Sequence, residues 1–154
     1  MIGNIQQNKG AFPAESGQRQ RSQIPEVAAL VAFKTAKPLR ILVVEDHGET
    51  RRALSRLLSY FGHEISVADS TQSALKFVDA KRFDVVLSDI RLPDGTGYEV
   101  ISNAKLKQRV KGIALTAFGA DEDIRRSNEV GFDFYLTKPV GFCELRSVLS
   151  QVAS

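Results

Sequence analysis

Ile41-Leu42-Val43-Val44 is an uninterrupted aliphatic run, and the same kind of run returns at Val85-Val86-Leu87 and Ile113-Ala114-Leu115. A strand with one wet face alternates apolar and polar residues. A run without polar interruption belongs to a strand covered on both faces, as in a parallel sheet. Stretches of helical periodicity separate these runs, so the chain from Leu39 onward predicts five βα units of roughly 20–25 residues each. Right-handed crossovers then place helices on both faces. The expected fold class is α/β, a doubly wound five-stranded parallel sheet.

In order, the first helix carries Ala53, Leu54, Leu57, Leu58 and Phe61 on one face, keeps Arg51, Arg52 and Arg56 off it, and closes at Gly62. Ile65 to Ala68 is the second strand. Ser70 caps a helix that turns Ala74, Leu75 and Val78 inward. The strand ending in Ser88-Asp89 is stopped by Pro93-Asp94-Gly95, and a helix follows from about Gly97 through Val100, Ile101 and Ala104. Thr116 ends the fourth strand. The fourth helix, Asp121 to Val130, offers only Ile124 and Val130 as large apolar anchors before Gly131 closes it. Phe134-Tyr135-Leu136 is the fifth strand, ending in Thr137-Lys138-Pro139. A last helix spaces Phe142, Leu145, Val148, Leu149 and Val152 at helical intervals.

Length and charge set bounds around this core. A chain of 154 residues builds one domain with a proper core, not two. No apolar run approaches the roughly 20 residues that cross a bilayer. The single cysteine, Cys143, forms no internal disulfide and fits a reducing cytoplasm; it reads as a small apolar packing residue. The net charge of +3 is uneven: residues 1–40 carry six cations and two acids, whereas residues 41–154 carry 15 cations and 16 acids. The scattered cations of the head lack interleaved aromatics, so no nucleic acid is expected as a direct partner. Residues 1–37, rich in Gln, Asn, Ser and Gly, read as a disordered leader or linker with a short helix over 26–33 and Pro25 at its first turn. Docking on the body and linking to something absent are both open for it.

In a doubly wound sheet the functional crevice lies beyond the carboxyl ends of the strands. Those ends hold Glu45 and Asp46 on the first strand, Asp89 on the third, Thr116 on the fourth and Lys138 on the fifth. The second contributes nothing, as suits an edge. Taken alone, Asp89 or Glu45-Asp46 would simply cap the following helix. Three carboxylates at one rim repel one another, and a divalent cation is the natural counter-charge. All-oxygen ligands with open positions favour Mg²⁺. Neither His47 nor His63 has a second imidazole or thiol at ligand spacing, which argues against zinc. Lys138 and the Thr116 hydroxyl suit a tetrahedral oxyanion.

From about Leu39 to Val152 the chain resembles the receiver domain of two-component response regulators, on the motifs Glu45-Asp46, Asp89 with Leu92-Pro93-Asp94-Gly95, Thr116-Ala117 and Lys138-Pro139. The resemblance implies a (βα)5 flavodoxin-like receiver fold over residues 38–154. It implies a cytoplasmic signalling protein, not an enzyme with turnover. It also implies that Asp89 accepts a phosphoryl group from a histidine kinase or histidine phosphotransfer protein. Mg²⁺ would sit on Glu45, Asp46, Asp89 and the backbone carbonyl of Arg91, with Lys138 on the other side of the phosphoryl group. The resemblance further implies a cis Lys138-Pro139 peptide, a switch pairing Thr116 with Tyr135, and Arg91 and Phe118 as residues that gate the hydrolytic water. Both gates are bulky, which predicts slow loss of phosphate. The sparsely anchored Asp121–Val130 helix lies between Thr116 and Tyr135 and is expected to be the bistable piece.

Two other readings fare worse. A Mg²⁺ phosphohydrolase with an Asp nucleophile wants a second acid two residues later, where this chain has Gly48 or Arg91. A nucleotide module wants a Gly- or Ser/Thr-rich loop after the first strand, where Glu45-Asp46 would repel phosphate. Within the receiver reading, a stand-alone regulator and a module of a hybrid histidine kinase in a phosphorelay both stay open. A phosphorylation-dependent homodimer would use the fourth helix, fifth strand and last helix.

Overall fold

The computed structural model describes residues 37–117 and 131–154. Residues 1–36, Phe118 and the predicted Asp121–Val130 helix lie outside the described residues. The rest runs β1 (Arg40–Val44), α1 (Gly48–Tyr60), β2 (Glu64–Ala68), α2 (Thr71–Ala80), β3 (Val85–Asp89), α3 (Gly97–Lys107), β4 (Lys111–Thr116), β5 (Phe134–Thr137) and α4 (Phe142–Ala153). A two-residue antiparallel ladder, Arg91–Leu92 with Gly95–Thr96, bridges β3 to α3.

The sheet order is β2-β1-β3-β4-β5, and every pairing is parallel. This is the doubly wound arrangement predicted from the uninterrupted runs. Ile41, Leu42, Val43 and Val44 are all fully buried, as are Val85, Val86, Leu87, Ile113, Ala114 and Leu115. Each of the Val, Leu and Ile side chains among them stabilises by about 1.5–3 kcal/mol on leaving water. β2 forms the edge and is only partly covered.

Local signals in the sequence fix the helix ends. Ser70 accepts from the Ser73 N–H in a reciprocal capping box, and Thr96 accepts from the Glu99 N–H at the start of α3. Gly62, at φ 96°, turns the chain out of α1. Val100, Ile101 and Ala104 line the inner face of α3 as expected.

Two expectations need correction. Ala53 is exposed, because the buried stripe of α1 runs through Leu54, Leu58 and Phe61, and Ala53 sits about 100° round the helix from Leu54. Cys143 is exposed too. It lies two residues, or about 200°, from the buried Leu145, so the packed face of α4 turns away from it. Phe142 sits at the margin: its ring meets Phe61 edge-on at 5.2 Å and carries the Arg146 guanidinium over its face.

Candidate functional site

Parallel strands deliver their last residues to one rim, and the polar side chains at that rim are held by specific bonds. Glu45 directly follows β1 and is wholly buried. Its Oε1 accepts from the His47 N–H at 3.1 Å, and its Oε2 lies 2.7 Å from Lys138 Nζ. The same ammonium donates to Asp89 Oδ2 at 2.9 Å. Lys138 thus bridges the ends of β1 and β3 from the far side of the sheet. Its placement follows from the ladder: the Lys138 N–H donates to the Thr116 carbonyl at 2.7 Å, one step beyond the Thr116–Thr137 register. The Lys138-Pro139 peptide is cis.

The electrostatics follow from burial. Removal from water pushes the Glu45 carboxyl up, and the bonds from Lys138 and the His47 N–H only partly hold it down. Burial alone would lower Lys138, but its bonds to Glu45 and Asp89 outweigh that and keep it above the usual lysine range. The ammonium is therefore a fixed positive charge at neutral pH.

Glu45, Asp46 and Asp89 bring carboxylate oxygens within 4.8 Å of one another, and Asp46 is exposed. Three converging hard oxygens open to solvent on one side fit a small dication such as Mg²⁺. Thr116 is buried beside them, one residue past the Asp89–Leu115 pairing, and its hydroxyl donates to the Leu136 carbonyl at 3.5 Å. Tyr135, on β5, is 45% exposed. Arg91 is exposed and pairs with Thr96 in the short ladder. Phe118 lies outside the described residues.

Three contributors escaped the sequence reading. Arg51, assigned only to the polar side of α1, donates from Nη1 to the carbonyls of Glu45 at 2.8 Å and Asp46 at 3.3 Å, pinning the acidic loop. Asp94 reaches across to α2 and accepts from the N–H groups of Thr71 at 2.7 Å and Gln72 at 2.9 Å, which ties the loop after Asp89 to a neighbouring helix. His47, not Glu45 or Asp46, caps α1. The Arg51 contact was foreshadowed only by an arginine one turn into the helix after an acidic loop.

Residues 41–150 match the family described as "Response regulator receiver domain". The chain belongs to the receiver family. Among solved structures, this receiver is similar to the receiver domain of sensor histidine kinase PA1611 from Pseudomonas aeruginosa, with 28% identity and a TM-score of 0.69, covering 76% of this chain and 98% of that one. That structure has a magnesium ion coordinated in its active-site cleft. A CheY-like receiver from Methanospirillum hungatei gives 29% identity and a TM-score of 0.70, covering 76% of this chain and 94% of that one. In sequence, the virulence sensor protein BvgS of Bordetella pertussis is 31% identical over 82% of this receiver, which spans 11% of BvgS. An uncharacterised 14.6 kDa protein of Leptolyngbya boryana is 33% identical over 77% of this receiver and 93% of its own length. As a receiver the domain is a phosphoacceptor signalling module, and receivers work with histidine kinases or phosphotransfer proteins. Among the described residues no helix is long and apolar enough to cross a membrane.

Proposed function

We propose that Asp89 is the phosphoacceptor and that Glu45, Asp46 and Asp89, with the Arg91 carbonyl, would hold Mg²⁺. The carrying observation is Lys138 Nζ, 2.7 Å from Glu45 and 2.9 Å from Asp89, beside three convergent carboxylates. A bound Mg²⁺ would supply charge neutralisation for the phosphoryl oxygens. An Asp89 carboxylate oxygen attacks phosphorus, the P–N bond to the donor imidazole breaks, and the new P–O bond leaves an acyl phosphate. Lys138 then exchanges part of its carboxylate bonding for a phosphoryl oxygen, and its fixed charge needs no proton movement to do so. The Thr116 hydroxyl donates to another phosphoryl oxygen in place of the Leu136 carbonyl. That movement frees space for Tyr135 to turn inward, changing the surface of β5 and α4 on which a phosphorylation-dependent homodimer would form. Arg91 gates the hydrolytic water and slows loss of the phosphoryl group; the second gate expected from the sequence, Phe118, lies outside the described residues. The protein promotes only its own modification and works in the cytoplasm, where a lone exposed thiol stays reduced.

Acetyl phosphate with Mg²⁺ should label the protein stoichiometrically at Asp89, with acid-stable and base-labile chemistry. EDTA and Asp89→Asn should each abolish the label. Multiple turnover of acetyl phosphate without a labelled intermediate would sink the reading in favour of a hydrolase. Placement in a hybrid histidine kinase draws on the 32% identity to a stretch that makes up 12% of the sensor histidine kinase RcsC of Escherichia coli. Faster transfer from a phosphotransfer protein than from a kinase would favour that setting.

A further inference from the structure

The pole of the sheet opposite Asp89 has a different character. It is formed by the amino ends of the strands, about 17 Å away for a five-residue strand at about 3.3 Å per residue. A hollow of about 590 Å³ opens there, floored by Leu39 and Val110 and rimmed by Lys37, Arg109 and Lys111. A second hollow, about 220 Å³, meets the first at Gln108. Gln108 is a fixed partition: its Oε1 accepts from the Phe83 N–H at 2.7 Å, and its Nε2 donates to the carbonyls of Val78 and Lys81. Together the two hollows are lined by four plus three Lys or Arg against one plus one Asp, a net of +5. Residues 37–154 as a whole carry 17 cations and 16 acids, a net of only +1. Asp84 pairs with Arg40 and Asp79 with Lys107, while Asp133, just outside the hollows, pairs with Lys105 and Lys111; adding Arg40 and Asp133 to the count leaves the net at +5. Leu106, flanked by Lys105 and Lys107, projects from the same stretch at 85% exposure.

A solvated cationic face is common, and one exposed leucine needs no explanation. Here the cations surround concave, aliphatic-floored space. We infer that this pole docks an acidic protein segment, extended and carrying an apolar side chain flanked by carboxylates. The apolar side chain seats against Leu39 and Val110, Leu106 packs on its neighbour, and the carboxylates meet Lys37 and Arg109. The concavity favours a peptide over a flat bilayer. The aliphatic floor has no ring on which bases would stack. The chain's own residues 1–36 carry four cations and two acids, the wrong sign to be the occupant. Docking here leaves the acidic rim untouched, so it is independent of the state of Asp89.

Fluorescence anisotropy of the full chain with a fluorescein-labelled peptide of alternating Glu, Asp and Leu tests this. Saturable binding is expected, weakened by salt. It should fall by about tenfold or more in Lys37→Glu/Arg109→Glu and stay equal in wild type and Asp89→Asn. The control Arg56→Glu/Lys76→Glu makes the same charge change on exposed positions of α1 and α2 and should bind as wild type does. Equal weakening by the control would reduce the effect to overall charge and overturn the proposal. So would absence of binding, or stronger binding to phosphatidylserine vesicles or single-stranded DNA than to the peptide. Because Asp89→Asn enters only as a control, failure of the phosphoacceptor reading leaves this result intact.

Discussion

Gly97 and Asp89 approach so closely that a Cβ at position 97 would lie 2.2 Å from the Asp89 carbonyl oxygen and 2.8 Å from Ser88 Oγ. The first turn of α3 is thus packed directly on the backbone that presents the carboxylate. Gly97→Ala must push the helix away or shift Asp89. Urea unfolding should show a loss of about 2–3 kcal/mol, in the range of other overpacked sites. Acetyl phosphate labelling should slow in parallel. An unchanged midpoint would mean that α3 is free to slide.

Glu45 is wholly buried and depends on Lys138 for its counter-charge. Removing one partner of a buried pair costs more than removing both. Lys138 is itself 30% exposed, which moderates the effect. Lys138→Met should therefore lose about 1–3 kcal/mol in metal-free buffer, and Lys138→Met/Glu45→Gln should recover much of that. Additive losses in the double variant would show the pair to be uncoupled.

Metal should act on the fold only through the acidic rim. At Mg²⁺ tenfold above its Kd the folded state gains about 1.4 kcal/mol, visible as a raised Tm. Asp46→Asn should remove that gain while leaving the metal-free Tm nearly unchanged, because Asp46 is exposed. Arg51→Ala should weaken the Mg²⁺ response by releasing the carbonyls of Glu45 and Asp46. A Mg²⁺ response in Arg51→Ala identical to wild type would show that the loop holds its shape unaided.

Burial lowers the pKa of His63, whose Nδ1 accepts from the Leu39 N–H at 3.0 Å. Its folded pKa lies below its unfolded value, so the unfolded chain binds the extra proton. Stability conferred by the neutral ring is full above about pH 6.5 and drains away as pH falls below that value toward the folded pKa. Urea midpoints should decline between neutral and mildly acidic pH, and His63→Gln should flatten that part of the decline.

Asp94 holds the first turn of α2 through two backbone N–H groups, which also keep its carboxyl below the usual range. Asp94→Ala should lower the Tm and raise amide exchange at Thr71 and Gln72. Loss of protection confined to residues around Pro93, with α2 unaffected, would contradict the tie.

What the sequence made readable was whatever a repeating pattern encodes. The uninterrupted runs at Ile41–Val44 and Val85–Leu87 announced strands covered on both faces, and strand direction then brought Glu45, Asp46, Asp89, Thr116 and Lys138 to one rim. Contacts between residues far apart in sequence, made by side chains with no periodic role, stayed hidden. Arg51 looked like one more polar residue on a wet helix face, and Asp94 looked like half of a turn signal. Cys143 and Ala53 were misplaced because small residues tolerate either environment, so their identity says little about which way they point. Gly97 was read as a helix start, whereas its lack of a side chain serves the backbone of β3.

The bridge from Lys138 to Glu45 and Asp89 means that the acidic rim carries a tethered cation of its own. Proteins whose ligand shells cannot close without an ion unfold when it is chelated. Here the tethered cation lets the chain reach its native shape before any divalent ion arrives, and the ion adds only a small increment to the fold while it governs the chemistry. Fluctuations in magnesium supply would then alter how fast this receiver hears its signal, not how much of it is there to listen.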